Sequence, residues 1–178
     1  FRPFQVIHGF GAFPSGFLAV LLSKFLRKKS LVTLLGGEYL SIPEIKYGLW
    51  SHKYLRPVLN FTFNHSHELV TLTRTAAGQI QMNLPNQKKH HTISLGVDTS
   101  LFVPTLKYLS EPYEFLHVAD LNPVKNQPML LATFQLITKQ VMAHLTIIGK
   151  DTLNGQIQRR ALEFGIADKI TFLPRISY

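Results

Sequence analysis

Short apolar runs alternate with stretches of helical periodicity along most of the 178 residues. Residues 30–35, Ser-Leu-Val-Thr-Leu-Leu, form a continuous apolar run of the kind found in strands of parallel sheets. The apolar residues before this run recur at helical spacing, at Leu18, Leu21, Leu22 and Phe25. The alternation therefore predicts an α/β fold in which parallel sheets carry helices on both faces.

The same reading gives an expected order of strands and helices. One long helical stretch, residues 49–65, contains Pro57 and is expected to be kinked or split there. The other helices are expected near residues 18–25, 76–84, 130–137 and 153–164. The strands are expected at residues 5–7, 30–35, 68–73, 90–95, 113–119, 143–149 and 169–173, with a loop over residues 8–16.

A boundary between two α/β units is predicted in residues 94–104, Ser-Leu-Gly-Val-Asp-Thr-Ser-Leu-Phe-Val-Pro. Gly, Asp and Pro interrupt the apolar pattern there, as they do in turns and linkers, and the strand–helix pattern then restarts. We therefore divide the chain into residues 1–95 and 96–178. Ligands of open parallel sheets bind beyond the carboxyl ends of the strands, so the loops that follow the strands are expected to line one cleft.

Three of these loops have features of binding sites. Residues 11–18 have the glycine spacing of a phosphate-binding P-loop, but Phe17 and Leu18 replace its Lys and Ser or Thr, which excludes nucleotide hydrolysis of that type. Gly36 and Gly37 permit close approach of a ligand to the backbone, and would place Glu38 in the cleft. Each of these loops is also compatible with a plain turn.

Lys125 stands just before a predicted helix. An ammonium group beside a helix N-terminus favours a diphosphate, because both present positive charge to the same place. A solvated surface lysine is the simpler alternative.

Charge and residue usage limit the classes of partner. The formal net charge is +9, and residues 1–90 carry 11 Lys and Arg against 3 Asp and Glu, whereas residues 91–178 carry 8 against 7. The basic half is suited to an anionic membrane or an anionic acceptor. Nucleic acid is disfavoured, because the basic residues do not form one stripe with interleaved aromatic residues.

The chain contains no cysteine, which excludes disulfides and thiolate metal sites. The paired histidines, His65 with His67 and His90 with His91, have no nearby carboxylate that completes a set at metal-ligand spacing, and we predict no metal site. The longest apolar run, residues 17–22, is far shorter than the roughly 20 residues that span a bilayer.

Taken in order, the loops and strands resemble family 4 glycosyltransferases over nearly the whole chain. The most specific parts are Gly96-Val97-Asp98-Thr99 with Phe102 and Pro104, and the Lys125 loop. The resembling segments are QVIHGFGAFPSGFLAVLLSKFL, LVTLLGGE, ELVTLT, HTISLGVDTSLFVP, FLHVADLNPVKNQPMLLATF, HLTIIGKDTL and ADKITFLPRI.

The resemblance implies a GT-B fold with two Rossmann-like domains. Residues 1–95 would be the end of the acceptor domain, and residues 96–178 the start of the domain that binds the nucleotide-sugar. The chain is accordingly expected to be incomplete at both ends. It would lack the first strand and glycine-rich loop of the acceptor domain and the motif of two Glu residues that holds the donor sugar, so this fragment alone is expected to be inactive.

The resemblance also implies an activity, which is transfer of a sugar from a nucleotide-sugar to a glycan or lipid-linked acceptor. The anomeric configuration would be retained, no metal would be needed, and the nucleotide-sugar would be a substrate, with no cofactor. The expected place of action is the cytoplasm. The excess of Lys and Arg in residues 1–90 further predicts peripheral contact with the anionic inner face of the membrane.

Individual residues match positions of the family's sites. Lys125 matches the lysine that neutralises the donor diphosphate, and Asn126 and Gly149 fall in the same donor site. Gly36, Gly37 and Glu38 match the loop on the acceptor side of the cleft, where His8 matches a recurrent histidine.

Two residues depart from the family pattern. Asp120 stands where the family has an Arg, five residues before the lysine, and Leu35 stands where many members have a His. These departures favour one alternative, a non-catalytic binding protein with the same fold. A second alternative is an isomerase similar to UDP-sugar epimerases, for which His8, Glu38 and Asp120 are the available acid–base groups.

Overall fold

A computed structural model describes residues 3–83, 90–104 and 110–176. The chain divides into two compact units, Phe1–Val103 and Pro104–Tyr178. The division falls between residues 103 and 104, whereas the sequence analysis placed it between residues 95 and 96. That the two units are acceptor and donor domains stays a prediction.

The first unit contains a four-stranded parallel sheet in the order β1-β2-β3-β4. Its core is formed by apolar residues that are almost completely buried, including Val32, Leu59, Phe63 and Leu69. The elements are β1 (Val6–Phe10), α1 (Phe17–Phe25), β2 (Lys29–Leu34), α2 (Arg56–His65), β3 (Glu68–Thr71), α3 (Arg74–Asn83) and β4 (His90–Thr92).

The second unit contains a three-stranded parallel sheet in the order β5-β6-β7. Along β6, Ala143, Leu145 and Ile147 are buried and the residues between them are partly exposed, because successive side chains of a strand point to opposite faces. The elements are β5 (Tyr113–Val118), α4 (Gln127–Ile137), β6 (Ala143–Ile148), α5 (Gln156–Glu163) and β7 (Ile170–Leu173).

The predicted fold class is confirmed: in both units, the strands of a parallel sheet alternate with helices along the chain. The predicted loop over residues 8–16 was wrong at its start, because β1 continues to Phe10 and His8 pairs in register with Leu31 of β2. The last residues of β1 are His, Gly and Phe, which do not continue the apolar run, so the sequence did not indicate that the strand extends to Phe10. The predicted helix end at residue 84 lies outside the described residues.

The long helix expected at residues 49–65 is split. A single 3-10 turn forms at Leu49–Ser51, and α2 begins only at Arg56. Pro57 lies in the first turn of α2, where its missing N–H costs no intrahelical hydrogen bond. The proline therefore starts a helix and does not kink one.

Candidate functional site

The connection from β5 to α4 brings Lys125 to the start of a helix at the carboxyl end of the sheet. Asn122 Oδ1 accepts hydrogen bonds from the backbone N–H groups of Val124 at 3.1 Å and Lys125 at 3.3 Å, which holds a 3-10 turn. Asn126 follows with left-handed backbone angles, φ 48° and ψ 45°, a region that asparagine adopts more readily than most residues. Lys125 thus stands two residues before α4, whose first turn offers few donors, because Pro128 has no N–H and the N–H of Met129 donates to the backbone oxygen of Asn126 at 3.0 Å.

A partly buried histidine accompanies Lys125. Burial, and then the nearby charge of Lys125, lower the pKa of His117 below its ordinary value. The imidazole also lies 3.4 Å from the side-chain amide nitrogen of Gln127, which is fully buried and donates to the backbone oxygen of Asp120 at 3.1 Å. The neutral form of His117 is therefore favoured, so the positive charge here comes from Lys125.

The ends of β5 and β6 meet closely. A Cβ atom on Gly149 would overlap the backbone oxygen of Ala119, so no larger residue fits at this position. Next to it, Asp120 Oδ1 accepts a hydrogen bond from the backbone N–H of Lys150 at 2.9 Å. Gly149 therefore has a packing role that is separate from its predicted place in the donor site.

A cavity of about 460 Å³ lies at these strand ends, lined by Asp120, Gly149 and Arg175 among others. Sequence analysis missed Arg175. Its signal was its position just after the carboxyl end of β7, in the same layer of loops as Lys125. Lys125 itself is not among the residues that line this cavity.

In the first unit, Glu38 holds the turn that follows β2. Its Oε1 accepts from the N–H of Leu35 at 3.0 Å and its Oε2 accepts from the N–H of Gly36 at 2.7 Å. Glu38 is only 7% exposed. Its carboxylate accepts these hydrogen bonds from the backbone of its own turn, and Glu38 also lines the cavity described below; its place in an acceptor cleft stays a prediction.

Two predicted loops meet at this carboxylate. Glu38 Oε1 would lie 3.5 Å from a Cβ atom on Gly11, which follows β1, so the turn after β1 is beside the turn after β2. Parallel strands bring successive carboxyl ends to one edge of a sheet, and the contact follows from that arrangement.

The Gly36–Gly37 turn forms one wall of a cavity of about 480 Å³. A Cβ atom on Gly37 would come within 2.8 Å of the Tyr47 ring, so a larger residue here would displace that side chain. Lys46, Tyr47 and His52 line the cavity and were missed by the sequence analysis. Their only sequence signal is a polar and aromatic loop between two predicted elements.

His8 lies within the sheet and not in a loop. Its Nε2 is 2.8 Å from Thr33 Oγ1 on β2, and its ring centre is 4.1 Å from that of Phe10. The imidazole is thus a hydrogen-bond partner across two strands, and is tied to β2 just before the strand ends.

Two further histidines of the first unit have hydrogen-bond partners. His67 Nδ1 is 3.0 Å from Ser30 Oγ, and His91 Nε2 is 2.9 Å from Glu68 Oε2. In the part of the chain that the structure describes, no group of three or more His, Cys, Asp or Glu residues could hold a metal ion. His67 and His91 therefore each join two neighbouring strands of the first sheet, His67 through Ser30 and His91 through Glu68.

Comparison with known proteins gives one family and one fold. Residues 104–178 match the model of the family described as glycosyl transferases group 1. No curated protein sequence matches the chain.

Several solved structures resemble the whole described chain. Anabaena HepE in complex with UDP has a TM-score of 0.75 and 15% identity, over 98% of this chain and 49% of that chain. S. aureus TarM has a TM-score of 0.72 and 13% identity, over 97% and 33%. A glycosyltransferase from Rickettsia africae has a TM-score of 0.66 and 16% identity, over 97% and 47%. The chain spans between a third and a half of these proteins.

These proteins share the α/β arrangement of parallel sheets described above, at identities that show the fold alone. The family match covers residues 104–178. The chain therefore has the fold of GT-B glycosyltransferases, and its residues 104–178 match the model of glycosyl transferases group 1.

Proposed function

We propose that this chain is part of a family 4 glycosyltransferase, which transfers a sugar from a nucleotide-sugar to an acceptor with retention and without a metal. The observation that carries the proposal is the position of Lys125 at the start of α4, beside a histidine whose neutral form is favoured. Residues 1–95 would supply the end of the acceptor domain and residues 96–178 the start of the donor domain.

The chemistry needs positive charge at one place. As the bond between the sugar and the diphosphate breaks, negative charge grows on the departing phosphate oxygens. Lys125, just before α4, and the guanidinium of Arg175 are both at the carboxyl end of the second sheet, where they would stabilise that charge. Asn126 and Gly149 would complete the backbone of this donor site.

We take uridine diphosphate as the nucleotide to test, because HepE was solved with UDP and with UDP-glucose. The acceptor side would use the cavity beside Gly36, Gly37 and Glu38, with Lys46 and His52 on its wall. Two cationic or titratable side chains there suit an anionic glycan or a lipid-linked acceptor.

The protein would act in the cytoplasm, in peripheral contact with the anionic inner face of a membrane. The excess of Lys and Arg in residues 1–90 supports this placement. Among the helices that the structure describes, none is both long enough and apolar enough to cross a bilayer.

The test is calorimetric titration of UDP into the full-length protein that contains this chain. Lys125→Ala removes a charge-assisted contact, which contributes roughly 1.5–3 kcal/mol, so the dissociation constant should rise at least about tenfold. Arg175→Ala should also weaken binding. Lys139→Ala, an exposed lysine beyond the end of α4, is the control and should change nothing. Equal affinity of the folded Lys125→Ala and control proteins would refute the proposed donor site.

A non-catalytic binding protein is the second candidate, and Leu35 favours it. This residue is 53% exposed and apolar, at the position where many family members carry a histidine. Such a protein would bind UDP and Lys125→Ala would weaken that binding, but no sugar would be transferred from UDP-glucose to any acceptor or to water.

The isomerase alternative loses support from the geometry. The carboxylates of Glu38 and Asp120 both accept backbone hydrogen bonds, and His8 pairs with Thr33. An acid–base pair that exchanges protons with a sugar needs groups that are free to contact it.

A further inference from the structure

A buried side chain closes the connection from β5 to α4. Gln127, the first residue of α4, is fully buried, and its Nε2 donates to the backbone oxygen of Asp120 at 3.1 Å. This bond joins the two ends of the turn that carries Lys125. Asn122 holds the same turn only from within, through the N–H groups of Val124 and Lys125. Gln127 therefore ties the turn to the end of β5.

The acceptor of this bond is itself held in place. Asp120 Oδ1 accepts from the N–H of Lys150 at 2.9 Å, and the N–H of Leu121 donates to the backbone oxygen of Lys150, also at 2.9 Å. Both bonds attach the residues that follow β5 to the residues that follow β6. Through Gln127 the start of α4 is attached to the same frame, and Lys125 stands two residues before that start.

The amide of Gln127 has one favoured orientation. A carbonyl oxygen can only accept, so Nε2 must face Asp120 and Oε1 must point away from it. The second hydrogen on Nε2 is available to His117 Nε2, which lies 3.4 Å away. This imidazole nitrogen accepts only when the ring is neutral and its proton is on Nδ1. Burial, and then the charge of Lys125, lower the pKa of His117, which favours the neutral ring.

Core packing alone does not account for a glutamine at this position. Its Oε1 is buried, and no donor among the residues that the structure describes lies within hydrogen-bond distance of it. A buried acceptor without a partner lowers stability, whereas an apolar side chain of the same length would fill the space without this cost. The glutamine is therefore better explained by the two hydrogen bonds of its Nε2.

We propose that Gln127 is a positioning residue for Lys125. It holds the turn against the end of β5 and so presents the ammonium to the donor diphosphate, an inference that rests on the proposed donor site. A turn that is tied at both ends samples fewer conformations, so less entropy is lost when the turn binds a ligand. Because its own side chain is fully buried, Gln127 acts on the diphosphate through Lys125.

The experiment is a double-mutant cycle, measured by calorimetric titration of UDP into the full-length protein. Its variants are Gln127→Met, Lys125→Ala and the two combined, and methionine has about the length and volume of glutamine. The matched control is Gln135→Met. Gln135 lies on the same helix, and its Nε2 also donates to a backbone oxygen, that of Phe164 at 2.8 Å. Urea unfolding shows that each variant is folded.

Gln127→Met should raise the dissociation constant of UDP about fivefold, because one or two hydrogen bonds that hold the turn are lost. In the Lys125→Ala background the same substitution should raise it by less than about twofold, because the residue through which Gln127 acts is gone. Gln135→Met should bind UDP like the wild type.

The outcomes separate this inference from the proposed function. Unchanged affinity of Gln127→Met, an equal loss in Gln135→Met, or an equal loss with and without the Lys125 side chain would overturn the positioning role. Each of these results leaves the donor site standing. Unchanged affinity of Lys125→Ala would refute the donor site, and the positioning role with it.

A second measurement needs neither UDP nor a variant that folds. In NMR spectra of the wild type above the pKa of His117, the nitrogen resonances should show a protonated Nδ1 and an unprotonated Nε2 on this ring. In Gln127→Met that preference should be lost. A protonated Nε2 in the wild type would mean that Gln127 does not donate to His117, and would overturn the inference whether or not UDP binds.

Discussion

The backbone N–H of Lys150 donates a hydrogen bond to Oδ1 of Asp120 at 2.9 Å. Asp120 stands where the family that the sequence resembles has an arginine. Its side chain therefore helps to connect the ends of β5 and β6. One carboxylate oxygen is used in this bond, which reduces but does not remove the negative charge beside the proposed diphosphate site. Asp120 also lines the cavity that Arg175 shares.

Asp120→Asn should strengthen UDP binding. The amide oxygen can still accept from Lys150, so the join between the strands should persist, while the repulsion of a diphosphate by the carboxylate disappears. We expect a severalfold lower dissociation constant in calorimetry.

Asp120→Arg introduces the family's usual residue and should also strengthen UDP binding, but it loses the hydrogen bond to Lys150. It should lower the free energy of unfolding by about 1–3 kcal/mol. Unchanged UDP affinity in both variants would mean that Asp120 does not face the nucleotide.

The pKa of His117 should rise when the charge of Lys125 is removed. Burial is the larger cause of its lowered pKa and the charge of Lys125 the smaller, so Lys125→Gln should recover only part of the shift. The measurement is a titration of the imidazole resonances by NMR, with Lys139→Gln as the control. An unmoved pKa would place the Lys125 ammonium away from His117.

The same histidine should make stability depend on pH. Since its folded pKa lies below the unfolded value of about 6.5, the unfolded state binds a proton more readily. The contribution of neutral His117 to the free energy of unfolding is complete when the pH is above the pKa of the unfolded chain. It is lost as the pH falls from there through the lower pKa of His117 in the folded protein. His117→Gln should make the free energy of unfolding less dependent on pH in that window, as measured by urea unfolding.

Glu38→Ala should destabilise the first unit. It leaves the N–H groups of Leu35 and Gly36 without their acceptors, at a cost of about 2–4 kcal/mol in the free energy of unfolding. Glu38→Gln keeps one acceptor oxygen and should lose about half as much. Urea unfolding gives these values, with Glu44→Ala, an exposed residue of a nearby turn, as the control. A Glu38→Ala protein as stable as this control would show that the turn does not depend on the carboxylate.

The sequence by itself determined the class of fold and the position of Lys125 between a strand and a helix. Apolar runs and helical spacing are local patterns, and burial of one face imposes them wherever the element sits. The strand that ends at Val118, the helix that starts at Gln127 and the lysine between them could all be predicted for this reason.

Only the tertiary structure decided which side chains are free to act. The bonds of Asp120 to Lys150 and of His8 to Thr33 join residues on different strands, and depend on register, which no local pattern contains. The exposure of the large apolar side chains of α1 could not be predicted either. The spacing of Leu18, Leu21, Leu22 and Phe25 shows only that they share a face. Whether that face meets the sheet or the solvent is decided by the small residues that permit close packing on the other side.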